Sequence, residues 1–303
     1  MMTSANANVL HIDGSTGKPE RIPDRRLVNA MSVDVEDYFQ VEAFKSVVDR
    51  ADWDNQPSRV VENTQRVLGL FDKTDTRATF FVLGWVAERF PEIVRRVKSG
   101  GHEVASHGYA HELADGQTRS EFRNDIRRSK AILEDISGDR VRGFRAPTFS
   151  IGRANWWVYE ILAEEGYEYS SSVYPIVHDL YGMPEAPRTM FRPLKDHVFL
   201  EIPISTTRLF NKNRPCGGGG YFRLLPYGIS RWCISRVNRV DGVSCVFYCH
   251  PWEFDVAQPR FTAAPFKSRI RHYLNIGSMS RRVAQLLEDF DWGRIDEVYL
   301  GPA

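Results

Sequence analysis

Two histidines four residues apart, His107 and His111 in the run Ser106-His107-Gly108-Tyr109-Ala110-His111, are the first candidates for chemistry. In a helical turn that spacing points both imidazoles to one side, as a single first-row metal ion requires. Taken alone, the pair is explained as well by two surface histidines. Carboxylates change the balance: Asp34, Glu36 and Asp37 follow directly on an apolar run, and three acids are more than a solvated turn needs. Strand alternation puts Asp34 and Glu36 on one side and Asp37 on the other, unless the strand has already ended. Arg145 stands in Gly143-Phe144-Arg145-Ala146-Pro147, where the proline biases Ala146 to an extended backbone. Its guanidinium stays charged at any working pH and can orient a carboxylate, although an isolated Arg is more often an ordinary salt bridge. His250, in Cys249-His250-Pro251-Trp252-Glu253, leaves an apolar strand and is by itself a core histidine as often as a proton donor.

These groups can meet only on a scaffold whose strand ends converge. Residues 27–35 are apolar and β-branched and predict a buried strand running into the acids. Residues 58–71 carry apolar side chains at helical spacing behind Ser58, a candidate cap. A strand is expected at 77–83, and a helix over 91–99 closed by Gly100-Gly101. A strand at 102–106, a helix at 119–136, a strand end at 143–146, a helix at 154–165 and a strand at 167–170 continue the alternation. That alternation argues for a parallel α/β architecture, either a barrel or a doubly wound sheet, with sites at the carboxyl ends of the strands. From about Pro175 the chain turns loop-rich, and Pro215 to Gly220 (PCGGGG) predicts a loop, either a flexible surface one or one that, with His178-Asp179, shapes a groove. A strand at 243–249 delivers His250, and a helix is expected near 280–290.

The bulk properties exclude more than they name. The 303 residues carry 40 basic and 39 acidic side chains for a net charge of +1, which offers no footprint for nucleic acid or an anionic membrane. Residues 1–26 are polar, lack the pattern of a signal peptide, and are expected to form a flexible arm. No run of eighteen apolar residues predicts a transmembrane segment, so the expected location is cytoplasmic. The four cysteines lack a CxxC spacing and are expected to be reduced thiols.

In order along the chain, the acid cluster, SHGxxH, RAP and strand-terminal His resemble the NodB polysaccharide deacetylase family, carbohydrate esterase family four, over residues 27–255. The longer phrases SVDVEDYFQVEAF, SSSVYPIVHDLYGMPEAPR, GGGGYFRLLP and FYCHPWEFD are similar to deacetylases from exopolysaccharide loci associated with exosortase systems. The resemblance implies an irregular (β/α)7-type barrel over 27–257 with a loop-rich C-terminal elaboration and an extension over 258–303 packed on the barrel. It implies removal of N-acetyl groups from an acetylated sugar or polysaccharide, releasing acetate, in exopolysaccharide biosynthesis or modification. It also implies a divalent metal ion, zinc first, with cobalt, manganese or nickel as alternatives, held by His107, His111 and one acid, Glu36 or Asp37. Asp34 would be the base, Arg145 its positioner and His250 the general acid, with Pro147, Thr148, Tyr174 and Trp252 at the substrate.

Amide hydrolysis asks for such groups, because a bound metal polarises the carbonyl and lowers the pKa of water toward about 7. Asp34 then takes the proton of the water and His250 protonates the sugar nitrogen. The sequence departs from the family pattern at Ser170, where many relatives carry an Asp. Two further readings stay open. One is an allantoinase-like amidohydrolase on a small ureide, a branch that loses the histidines this chain keeps. The other is a non-catalytic carbohydrate-binding protein of a membrane polysaccharide-synthesis complex.

Overall fold

The structure, a computed structural model, describes residues 27–301, so the arm expected over 1–26 lies outside the described residues. The elements in chain order are β1 (Asn29–Val35), α1 (Val60–Asp72), β2 (Thr79–Val82), α2 (Gly84–Arg89), α3 (Pro91–Ser99), β3 (Glu103–Ser106), α4 (Arg119–Ser137), β4 (Gly143–Phe144), α5 (Val158–Glu164) and β5 (Tyr169–Ser170). The loop-rich part holds β6 (Leu200–Glu201), the hairpin β7 (Thr206–Leu209) and β8 (Lys212–Pro215), α6 (Gly219–Leu224) and α7 (Tyr227–Arg236). β9 (Val246–Cys249), α8 (Phe266–Tyr273), α9 (Met279–Asp289), β10 (Trp292–Gly293) and α10 (Ile295–Tyr299) complete it.

Eight parallel strands form one curled sheet in the order β10-β1-β2-β3-β4-β5-β6, with β9 also pairing β1. Every residue of β1, β2, β3 and β9 is buried, as expected of strands covered on both sides. The gap between β6 and β9 is bridged by irregular chain: Ser205 N–H donates to Val246 O, Val246 N–H donates to Ser205 Oγ, and Gly218 pairs with Tyr248. The result is an irregular half-barrel with helices around it. The 258–303 segment is more than a cover, because β10 adds a strand to β1 through Asn29↔Trp292 and Ala30↔Gly293.

The local signals explain most of these elements. α4 opens on a capping box between Thr118 and Glu121 and ends on Gly138 at φ +70°. α3 begins at Pro91 and is closed by Gly101 at φ +74°. Three expectations fail. Ser58 does not cap α1; its hydroxyl donates to Asp37 instead, and Asp37 takes the N–H groups of Arg59 and Val60. No helical turn carries His107 and His111, which sit in irregular chain with Gly108 at φ +74° and His111 at φ +53°. The glycine run is not a free surface loop: Gly217 is pressed on the Val246 carbonyl, where a Cβ would come within 2.2 Å, and Gly219 opens α6.

Candidate active site

Strand register brings the candidate residues to one rim. Val35 pairs with Val82, Val82 with Ser106, Ser106 with Phe144, and Val33 with Cys249. Glu36, His107, Arg145 and His250 are the residues that follow Val35, Ser106, Phe144 and Cys249, so each leaves its strand at the same carboxyl end. Glu36, His107 and His250 border a cavity of about 180 Å³ whose lining also includes Asp34, His111, Thr148 and Trp252, while Arg145 is fully buried behind it.

Glu36, His107 and His111 form one ligand group, with an atom from each lying within 4.8 Å of the others. His111 Nε2 stands 2.9 Å from Glu36 Oε2, and that buried oxygen has no hydrogen-bond partner. His107 donates from Nδ1 to the Arg145 carbonyl at 2.8 Å, which leaves Nε2 with its lone pair free. Burial pushes the His107 pKa down to about 4, so the ring is neutral, as a ligand must be. Burial would raise Glu36, but the neighbouring histidines, His111 first, hold it at about 2. Trp252 Nε1–H fixes the other carboxylate oxygen at 3.2 Å. The donor set and its orphaned oxygen fit a divalent cation with a coordination position left open.

Asp37 is not part of that group. Its Oδ2 accepts from Ser58 Oγ at 2.7 Å, Arg59 N at 2.8 Å and Val60 N at 3.2 Å, while Oδ1 accepts from Tyr38 N at 2.9 Å. β1 has already ended at Val35, so strand alternation does not place Asp37; its carboxylate serves the orphan N–H groups at the start of α1.

Asp34 and Arg145 make a buried pair. Arg145, fully buried, donates through Nη1 to Asp34 Oδ1 at 2.6 Å and to Ser32 Oγ at 2.8 Å. Its Nε and Nη2 are held by the Ser171 carbonyl and hydroxyl at 2.9 and 2.8 Å. The guanidinium therefore cannot swing, and Asp34 Oδ2 is the oxygen left toward the cavity. Ser170, at the position of the usual Asp, meets Ser172 Oγ at 2.7 Å; behind it the buried Glu201 accepts from Ser172 N and Val173 N, each at 2.8 Å.

His250 brings Nε2 to 4.0 Å from Asp34 Oδ2 and 3.6 Å from Glu36 Oε1. Its Nδ1–H donates to Glu253 Oε1 at 2.8 Å, and Arg223 Nε donates to Glu253 Oε2 at 2.7 Å. Burial lowers the His250 pKa, yet the Glu253 hydrogen bond and the charges of Glu36, Glu253 and Asp34 outweigh it and raise it to about 9. Arg223 is itself buried and anchored on the carbonyls of His272, Leu274 and Arg271.

Among the expected substrate contacts, Thr148 lines the cavity in a left-handed turn at φ +53°, a strained backbone for a β-branched residue. Pro147 opens that turn but is buried behind it. Trp252 lines the cavity without offering a free ring face: it is 6% exposed and stacked on His250 and on His272, with centroids 5.0 and 4.0 Å apart. Tyr174 is buried and stacked behind Tyr181, so Tyr181 holds the place at the cavity wall expected of Tyr174.

Sequence reasoning missed Arg223, Arg271, His272 and Glu42. One signal was present. Four successive glycines before an aromatic helix mark a close approach of backbone, and a Cβ at Gly219 would stand 2.4 Å from Glu253 Oε1.

Residues 52–170 match the family model described as Polysaccharide deacetylase, and residues 171–300 match the one described as Domain of unknown function (DUF3473). The chain carries a polysaccharide deacetylase domain of the NodB, carbohydrate esterase family four type, followed by a DUF3473 region. It is similar to a peptidoglycan-N-acetylglucosamine deacetylase of Bacillus cereus, 34% identical over 29% of this chain and 32% of the relative. A peptidoglycan deacetylase of Helicobacter pylori is 31% identical over 36% of each chain. The match thus spans about a third of the length of these curated relatives. The fold is shared with the crystal structure of a candidate polysaccharide deacetylase from Mycobacterium smegmatis at TM-score 0.57 and 21% identity, covering 92% of this chain and 90% of that one.

Proposed function

We propose that the protein is a metal-dependent hydrolase that removes N-acetyl groups from an acetylated sugar polymer and releases acetate. The observation that carries this reading is the meeting of an acid, a base and a ligand group in one cavity: His250 Nε2 lies 4.0 Å from Asp34 Oδ2 and 3.6 Å from Glu36 Oε1. Glu36, His107 and His111 would hold the metal, zinc first in order of expectation, which when bound supplies Lewis acidity for the acetyl carbonyl and acidifies water. Asp34 takes the proton of the attacking water at Oδ2, since Oδ1 is committed to Arg145. Arg145 is a positioning residue, locked by Ser171 and Ser32. His250 delivers the proton on Nε2 to the departing sugar nitrogen, and Glu253 keeps that proton in place by accepting from Nδ1. The Thr148 turn borders the carbonyl side, and Tyr181, stacked on His178, closes part of the cavity wall.

The site draws on residues on both sides of the proposed catalytic (27–257) and C-terminal (258–303) division, because Arg271 and His272 line the same cavity. The similarity of the SVDVEDYF, GGGGYFRLLP and FYCHPWEFD phrases to exopolysaccharide-locus deacetylases makes an exopolysaccharide the favoured glycan. No helix among the described residues is long and apolar enough to cross a membrane. The test is acetate release from a panel of monomeric, polymeric and lipid-linked N-acetylated sugars, with allantoin as the ureide control. Acetate from the sugars and no turnover of allantoin is the expected result. Turnover of allantoin alone would replace this reading with the amidohydrolase one, and binding of glycans without acetate release would favour the non-catalytic one.

A further inference from the structure

The whole-chain charge, which predicts no footprint for an anionic membrane, averages away a local excess. Residues 202–240 contain seven Lys or Arg and no Asp or Glu. Arg223 of these holds Glu253 and Arg231 pairs with Asp289, but Arg208, Lys212, Arg214, Arg236 and Arg239 have no carboxylate partner among the described residues. Of the acids bounding the stretch, Glu201 is buried and Asp241 is taken by Arg188. Apolar side chains stand among these cations. In the β7–β8 hairpin the register Leu209↔Lys212 leaves the turn Phe210-Asn211, with both residues at positive φ, +49° and +60°. Such turns favour Asn and Gly, so a phenyl ring there costs backbone energy, and this one is 86% exposed. On the outside of α7 and the π turn that follows it (Val237–Asp241), Ile229, Trp232, Arg236 and Val240 recur at helical spacing, with Trp232 48% and Val240 60% exposed. Arg236 Nε–H donates to the Arg208 carbonyl at 3.3 Å and its guanidinium lies 5.9 Å from the Trp232 ring, which joins hairpin and helix into one face.

We infer that this face docks the protein peripherally on an anionic lipid bilayer. Strand alternation puts Arg208 on one face of the hairpin ribbon and Lys212 and Arg214 on the other. With Phe210 in the acyl boundary, Lys212 beside it and the two arginines, roughly 7–10 Å behind it at about 3.3 Å per residue, lie among the lipid phosphates. Trp232 suits the same interface, where the body of its ring is apolar and its N–H stays wet. Charge complementarity selects the lipid, since a zwitterionic surface offers these cations little and an anionic one attracts each of them. A second copy of the chain is the weaker occupant, because pairing this face with itself sets like charges together. A soluble polyanion would satisfy the cations but leave the Phe210 ring in water. Asn238 of the π turn donates to Asn29 at the amino end of β1, whereas Glu36 follows its carboxyl end, so docking here leaves the catalytic cavity uncovered.

The test is sedimentation of the full-length protein with vesicles of phosphatidylcholine alone and of phosphatidylcholine with phosphatidylglycerol at about 2:1. Partitioning should be on the order of 100-fold stronger onto the anionic vesicles, and should weaken as salt is raised. Phe210→Asn places a residue suited to the turn, so it should keep the melting temperature and lose about tenfold in partitioning. Lys212→Glu combined with Arg214→Glu should bring binding on anionic vesicles close to the level on phosphatidylcholine. Equal partitioning onto the two kinds of vesicle would overturn the inference. Undiminished partitioning of Phe210→Asn would overturn it too and, with heparin competing for the protein, would assign the patch to a soluble polyanion. A dimer in solution that Phe210→Asn dissociates would assign the face to a second copy instead.

Discussion

Replacing His250 with Asn is expected to lower kcat on an N-acetylated sugar by ~10²–10⁴, the range of a lost general acid, with metal content unchanged. His250 is aimed by a chain of three groups: Arg223 holds Glu253, Glu253 holds Nδ1–H, and Nε2 faces Asp34 and Glu36. A raised pKa, about 9, keeps the imidazolium populated at neutral pH. An activated acetyl ester needs less protonation of its leaving group and should lose correspondingly less. Equal losses on ester and amide, measured side by side, would count against the acid role. Loss of bound metal would make His250 a ligand.

Asp34→Asn should act on two quantities at once. The rate should fall by ~10²–10⁴ because the amide cannot accept the water's proton. Stability should also fall, by about 3 kcal/mol, because Arg145 is fully buried and among the described residues Asp34 is the carboxylate with which it makes an ion pair. Metal content should remain, since the ligand group is Glu36, His107 and His111. Denaturant unfolding, metal analysis and kinetics on the same preparation separate these effects. An emptied metal site would force the roles among the acids to be reassigned.

The parallel strands and the rim residues were legible because each rests on a local pattern. An apolar run ending in acids marked where β1 stops, but because the strand ends at Val35 period-two alternation could not decide between Glu36 and Asp37. What Asp37 does instead was not legible. It serves the N-terminus of α1 across a loop of some twenty residues, and Ser58, beside that helix, looks like the better cap on sequence grounds alone. The Arg223 and Glu253 contact spans 30 positions and joins two segments whose pairing depends on how the irregular chain closes the barrel. Tyr174 and Tyr181 show the same limit, since either aromatic could face the cavity until the turn between them is known. The packing of Trp252 was not legible either, because His272 reaches it from α8.

The central claim, a metal-dependent deacetylation at the Glu36, His107 and His111 group, is tested most directly by acetate release from an N-acetylglucosamine oligomer before chelation, after chelation and after return of zinc or cobalt. Activity should vanish on chelation and return in proportion to metal bound, up to one ion per chain. Full turnover by a preparation shown by elemental analysis to be free of metal would contradict the account.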